Sequence, residues 1–361
     1  MKGICFLIGD MSRSGGTERV TAQVSKLLRE EYRVHILSVQ TQDDTFFYPV
    51  SDNVKTDKIR NHPRKNIQRT VLSFGSILRY LIRYVRKNQI DIIVDVDSIL
   101  DIFSLPVKLF HKVKVVSWEH FPFGAKVGTG FRPIVARLSA RYADACVVLT
   151  KTDYEKHNAH SKGHRPIIYI PNMVFPTESL PNKDSKRILS IGRLTQEKGF
   201  DYLVEVAKTL LPKYPDWEWI IVGEGEEREF LTAKIKEYHL ENRLHLVGRQ
   251  RNVESYYESS AIYVMTSRFE GAPMVLLEAL GYHLPVVSFD CATGPAEMIE
   301  EGKCGYLIPC FDVAFMERRL EELITHPDTR VAFSQSSLIK LTPFLQDSVH
   351  HKWRSLLEEL L

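Results

Sequence analysis

Apolar residues along the chain follow two recurring patterns. Short β-branched runs at 4–8, 34–39, 92–96, 113–117 and 145–149 predict strands, as do runs at 187–191, 218–222, 244–247, 262–265 and 285–288. Between strands the period lengthens to that of an amphipathic helix. Val20, Val24, Leu27 and Leu28 share one helical face, and similar segments recur near 200–212, 226–239, 273–281 and 312–325. Strands alternating with helices predict parallel sheets, since a parallel pair needs a long crossover. The two series are separated at 170–185, where three prolines and polar residues read as a linker. A last helix over 345–361 carries Trp353, Leu356, Leu357 and Leu360. The expected architecture is α/β: two Rossmann-like, doubly wound domains, 1–170 and 171–344, facing across a cleft, with the last helix crossing back to the first. A chain of 361 residues can give each domain its own core.

Composition adds little; charge distribution adds more. Five scattered cysteines without a Cys-x-x-Cys pair fit neither a disulfide framework nor a zinc site, and point to a reducing cytoplasm. The opening run MKGICFLIGD stops at Asp10 without a small-residue cleavage motif, so it reads as a first strand rather than a signal peptide. No window approaches the roughly 20 apolar residues that span a bilayer. The net charge of +3 conceals an asymmetry: residues 1–170 hold 27 Lys and Arg against 16 Asp and Glu, and residues 171–361 hold 21 against 29. Between Lys58 and Ile90, the cations Lys58, Arg60, Arg64, Lys65, Arg69, Arg79, Arg83, Arg86 and Lys87 meet no acidic residue. A solvated helix face is the common fate of such a run. An anionic membrane surface is the functional alternative, which the balance favours, and nucleic acid has no accompanying motif.

Chemistry is expected in the loops that follow strands. The first strand enters GDMSRSGGTER, where Gly15 and Gly16 open a helix whose N-terminus suits an anion. This is not the GxGxxG fingerprint, and no acid ends the second strand, so a nicotinamide enzyme is disfavoured. In the second half, SIGRLTQEKGF sets Arg193 and Lys198 on a strand-to-helix loop, where they could converge on a pyrophosphate. Gly223 and Gly225 follow the next strand, and the loop from Val247 to Gln250 follows the one after. In SRFEGAPMVLLEAL, Pro273 is expected at the first helical position, with Glu270 just outside the helix and Glu278 inside it. The two glutamates would then lie roughly 7–8 Å apart along the axis at about 1.5 Å per residue, a separation that permits one extended ligand.

Taken together, Gly15-Gly16, Arg193 with Lys198, Glu270 with Glu278, and His120 in SWEH resemble the retaining glycosyltransferases of family 4, over essentially the whole chain. The segments around Gly294-Pro295 and Gly302 to Gly305 resemble the members that build bacterial surface glycans from UDP-sugars. The resemblance implies the GT-B fold, a UDP-sugar donor, and no metal or other cofactor. It assigns the diphosphate to Arg193 and Lys198, helped by N–H groups near Gly16 and from Pro273 to Val275. Glu270 and His120 would take the donor sugar, Glu278 the ribose, and the Val247–Gln250 loop the base. Gly223, Ala272 and Met274 would complete the donor site. The acceptor is expected to be a glycan or a polyprenyl-diphosphate-linked glycan, met by a cytoplasmic enzyme peripheral on the inner face of the membrane. Asp95 and Asp97 form an Asp-x-Asp, the metal signature of the other glycosyltransferase fold, and are read as strand-end polar residues with metal binding a minor alternative. A UDP-sugar epimerase of GT-B-like fold and a non-catalytic sugar- or lipid-binding protein are the competing functions.

Overall fold

The computed structural model describes the chain apart from residues 42, 44, 60–66, 125–131, 162, 164, 179 and 183, and gives backbone only for 67–73 and 161. The basic positions 60, 64, 65 and 69 therefore lie outside what is described of side chains. The chain divides into two compact units, Met1–Asn172 with Asp347–Leu361, and Met173–Gln346.

The first unit runs β1 (Gly3–Ile8), α1 (Gly16–Leu28), β2 (Arg33–Ser38), β3 (Lys55–Lys58), α2 (Ile67–Asn88), β4 (Ile92–Val96), α3 (Asp101–Ser104), β5 (Lys114–Trp118), α4 (Arg132–Tyr142), β6 (Ala145–Val148), α5 (Lys151–Ser161) and β7 (Ile167–Tyr169). Its strands pair in the order β3-β2-β1-β4-β5-β6-β7, all parallel among the described residues. The order reverses between β1 and β4, so right-handed crossovers place α1 on one face and α2 to α5 on the other. Alternation along β1 follows from this. Cys5 and Leu7 pack with Leu81, Tyr84 and Val85 of α2, whereas Phe6 on the opposite face meets Trp118 and Trp353. Trp353 is brought there by the last helix, Gln346–Leu360, and stands edge-on to Trp118 at 4.9 Å.

The second unit runs β8 (Arg187–Ile191), α6 (Phe200–Lys213), β9 (Glu218–Val222), α7 (Arg228–Glu237), β10 (Leu244–Leu246), α8 (Glu254–Glu258), β11 (Ile262–Met265), α9 (Met274–Gly281), β12 (Val286–Phe289), α10 (Pro295–Met298), β13 (Gly305–Ile308), α11 (Val313–Thr325) and α12 (Pro327–Ser336), and the last helix becomes α13. Its parallel sheet has the order β10-β9-β8-β11-β12-β13, reversing between β8 and β11. The two faces are covered by separate apolar clusters, one around Leu203, Trp219 and Leu320, the other around Tyr263, Leu277 and Leu280.

Two sequence expectations shift. The strand expected at 113–117 is Lys114–Trp118, which brings its end one residue closer to His120. Pro273 is not the first helical residue: it precedes α9 with ψ 102°, an extended backbone, and Met274 opens the helix. Glu270 thus remains in the loop, and Glu278 is the fifth helical residue.

Candidate active site

Parallel doubly wound sheets bind ligands at the carboxyl ends of strands where the order reverses. In the second unit that point lies between β8 and β11, and the two strands' loops carry the cationic and acidic motifs. They are stitched together by backbone and side-chain bonds. Arg268 donates its backbone N–H to Glu197 O at 2.8 Å and its guanidinium to Gln196 O at 2.6 Å, and grips Asp201 with two bonds of 2.8 and 2.7 Å. Gly199 has φ +63°, and a Cβ there would lie 2.1 Å from Thr266 O, so only glycine allows the loops this close.

The consequence is an ion pair across 72 residues of sequence: Lys198 Nζ donates to Glu270 Oε1 at 2.6 Å. Ser267 Oγ donates to the same oxygen at 2.6 Å, and Thr293 Oγ1 donates to the Glu270 carbonyl. Glu270 is buried, and both donors use its Oε1. An ammonium has three donors and Glu270 takes one. Arg193 stands apart from this pair: its side chain is 64% exposed and its ion-pair partner is Glu197, at 3.5 Å.

After Pro273, the N–H groups of Met274 and Val275 precede any carbonyl to which the helix could bond them, since the first helical bonds run from Leu276 and Leu277 to Pro273 O. Gly294 packs against Pro273, where a Cβ would come within 2.5 Å of its ring. Glu278 is buried and receives the Tyr257 hydroxyl on Oε2 at 2.9 Å, while Tyr257 stacks on Tyr282 with centroids 5.0 Å apart. The next loops follow in register. Gly223 donates its N–H to Gly248 O at 2.9 Å, Val247 donates to Ile221 O at 3.1 Å, and Gln250 Nε2 donates back to Val247 O at 2.8 Å. A Cβ on Gly223 would sit 1.8 Å from Gly192 O, so this glycine lets the β9 loop lie against the backbone just before Arg193.

In the first unit, the α1 N-terminus already holds an anion. The buried Glu18 carboxylate curls back to accept from the Gly15 and Glu18 N–H groups, with burial the larger influence and raising its pKa. The sequence reading expected N–H groups near Gly16 to help hold a diphosphate and gave Glu18 no role. His120 follows β5 with its ring 4.6 Å from Trp118, and burial pushes its pKa down to about 3, so the imidazole is neutral. Its Nε2 is buried with no hydrogen-bond partner among the described residues. Asp95 and Asp97 have separate tasks. Asp95 is fully buried and accepts from Ser104 Oγ at 2.6 Å; Asp97, at φ 92°, accepts from the Ile99 N–H at 3.1 Å and pairs with Arg132 at 2.5 Å.

Glu119 was quoted in SWEH yet given no role. Burial first, then the Asp97 charge, pushes its carboxyl up to about 7 against an opposing bond from Ser98. A carboxyl whose pKa is raised on folding favours the folded state below its unfolded pKa and loses that contribution as pH rises through the folded value. Glu119→Gln should therefore match wild type near pH 4 and exceed it in stability by on the order of 2 kcal/mol at pH 8. Hydrogen exchange of first-unit peptides at the two pH values measures this, and equal pH dependence would reject the assignment.

The geometry has a counterpart among known proteins. The family model described as Glycosyltransferase Family 4 matches residues 14–178, and the one described as Glycosyl transferases group 1 matches 175–338. An uncharacterised glycosyltransferase of Haemophilus influenzae is 31% identical over 359 residues, covering 99% of this chain and all of its own. The amylovoran biosynthesis glycosyltransferase AmsD of Erwinia amylovora is 30% identical, covering 99% and 100%. A TarM variant of S. aureus, solved with UDP, fondaparinux and alpha-GlcNAc-glycerol, superposes with a TM-score of 0.83 at 15% identity, covering 99% of each chain. Its fold is shared.

Proposed function

The chain belongs to the family 4 and group 1 glycosyltransferases, and from that premise we propose that it transfers a sugar, with retained anomeric configuration, from a UDP-sugar to a hydroxyl of a glycan or polyprenyl-diphosphate-linked glycan during bacterial surface polysaccharide synthesis. The observation that carries the reading is the Lys198–Glu270 pair at the switch point of the second sheet. As the anomeric C–O bond breaks, negative charge grows on the departing diphosphate, and a fixed cation there stabilises the transition state more than the ground state. Lys198 is that cation, with Arg193 swinging in from solvent and the Met274 and Val275 N–H groups facing the phosphates. In a front-face transfer the acceptor oxygen bonds to the anomeric carbon and its proton passes to the leaving phosphate oxygen. This balances without an enzymic nucleophile.

Glu270 both holds the lysine and offers its second oxygen to a sugar hydroxyl. Neutral His120 hydrogen-bonds the donor sugar, Glu278 the ribose and the 247–250 loop the base. Lysine and arginine charge replaces a metal in this scheme. The test is a panel of UDP-sugars with glycan acceptors, reading the product's anomeric configuration by NMR with and without a chelator. An α product from an α donor at an unchanged rate in chelator is expected. Inversion, or loss of turnover in chelator, would overturn retention or metal independence respectively. Donor turnover to an epimer without acceptor would favour the epimerase.

A further inference from the structure

The carboxyl edge of the second sheet carries exposed aromatic rings that the donor chemistry does not use. Strand β13 runs into Pro309-Cys310-Phe311-Asp312, where the Asp312 N–H bonds to Pro309 O at 3.0 Å and Phe311 takes φ +71°. That is the third place of a type II turn, which calls for glycine or asparagine because a larger side chain is strained there. Phenylalanine is doubly unfavourable at this place, since its ring is also 48% exposed. The turn itself has a purpose: the Asp312 carboxylate caps α11 by accepting from the Phe315 N–H at 2.9 Å. The cap accounts for a turn but not for an aromatic residue in it. Strain of this kind persists where the position has a use.

The ring is fixed by its neighbours. It stacks on Tyr202 with centroids 5.2 Å apart and meets buried Phe289 edge-on at 6.0 Å. Tyr202 in turn has the Arg268 guanidinium over its ring at 4.5 Å, and Phe269, 36% exposed, lies between Arg268 and Glu270 in sequence. The shelf from Phe311 through Tyr202 and Arg268 to Phe269 is thus continuous with the loops that hold the Lys198–Glu270 pair. Cys310 donates its thiol to Asp290 O at 3.3 Å, which brings the exposed Asp290 against the same turn. Chemistry selects the occupant. A pyranose has a face of C–H groups that packs on an aromatic ring, and a rim of hydroxyls that needs donors and acceptors. Phe311 and Phe269 supply aromatic surface. Arg268 uses three of its five N–H donors on Gln196 O and Asp201, and Asp290 can accept. Arg268 stands among Asp201, Asp290 and Asp312, so the shelf has no positive excess to draw phosphate or nucleic acid.

We propose that Phe311, Tyr202, Arg268 and Phe269 form a carbohydrate shelf on the second unit, where a sugar of the glycan remote from the reacting hydroxyl stacks on Phe311. The choice of a glycan rests on the transferase reading; the shelf deepens that reading by making the acceptor an oligosaccharide. The test is saturation-transfer NMR on the full chain without nucleotide, with glucose, maltotetraose, N-acetylglucosamine and chitotetraose as probes. Wild type should pass saturation to the ring C–H protons of at least one tetrasaccharide and far less to its monosaccharide. Phe311→Ala should weaken that binding about five- to ten-fold, the loss expected for one aromatic stack, and Phe311→Tyr should retain it. Phe311→Gly separates binding from a structural role. It removes the ring but relieves the turn, so the unfolding temperature should stay within a few degrees of wild type while binding falls as for alanine. Tetrasaccharide binding that survives Phe311→Gly would overturn the proposal, as would a wild type that binds neither tetrasaccharide. Donor turnover is read separately, and Phe311→Ala should leave the KM for the UDP-sugar unchanged. A chain that binds tetrasaccharide through Phe311 yet transfers no sugar would sink the transferase reading and leave the shelf standing.

Discussion

Lys198→Ala is expected to slow sugar transfer by about 10²–10³-fold, the usual loss when one preorganised stabiliser of developing negative charge is removed. The loss should fall chiefly in kcat, because the charge on the departing diphosphate is larger in the transition state than in the bound donor. Lys198 also neutralises a buried carboxylate, so the substitution has a second consequence. Glu270 keeps its bond from Ser267 but loses its counter-charge, at a stability cost of about 1–3 kcal/mol. The two effects separate in a double variant. Lys198→Ala with Glu270→Gln removes both charges and should recover most of the stability while remaining inactive. Coupled detection of released UDP measures the rate and thermal unfolding the stability. A single variant that keeps turnover within a few-fold of wild type would remove Lys198 from the diphosphate.

Much of the fold was legible because the strands of a parallel sheet are buried on both faces and read as unbroken apolar runs. The strand at β4, Ile92–Val96, is buried throughout and falls where its apolar run predicts. Three strands escaped notice, all at sheet edges. Lys55–Lys58 reads KTDK and is half to fully exposed, Ile167–Tyr169 has three residues, and Gly305–Ile308, though mostly buried, was quoted only as a glycine motif. Edge strands are defined by their neighbour's hydrogen bonds, which no local pattern encodes. The candidate site shows the same division. Lys198 and Glu270 each stood out in their own loop, but their direct pairing follows from the adjacency of β8 and β11. Glu18 drew no reading in the sequence, and only the fold shows its carboxylate turned back toward Gly15. Arg193 and Lys198 looked equivalent in sequence, whereas the fold holds one half-buried against Glu270 and leaves the other in solvent.

Gly223→Ala is the substitution expected to damage the donor half most without touching a charged group. The new Cβ would lie 1.8 Å from Gly192 O and 2.9 Å from Gly192 C, both backbone atoms that no rotamer change can move aside. Relief requires separating the β9 loop from the β8 loop. That strains the Gly192 N–H bond to Val222 O and the Leu194 N–H bond to Glu224 O, each 3.0 Å, and the Gly223 N–H bond to Gly248 O. Overpacking alone costs about 1–3 kcal/mol, and losing one of these backbone bonds adds about 1 kcal/mol. Unfolding of a two-unit chain need not be two-state, so hydrogen exchange is the suitable measurement. Peptides within Met173–Gln346 should lose protection while those within Met1–Asn172 keep theirs. The same loops carry Arg193 on one side and Val247 to Gln250 on the other, so the KM for the UDP-sugar should rise together with the loss of protection. Unchanged exchange would mean that the β8 and β9 loops do not pack backbone to backbone. Unchanged KM with altered exchange would remove the 247–250 loop from the donor site while leaving Lys198 and Glu270 in it.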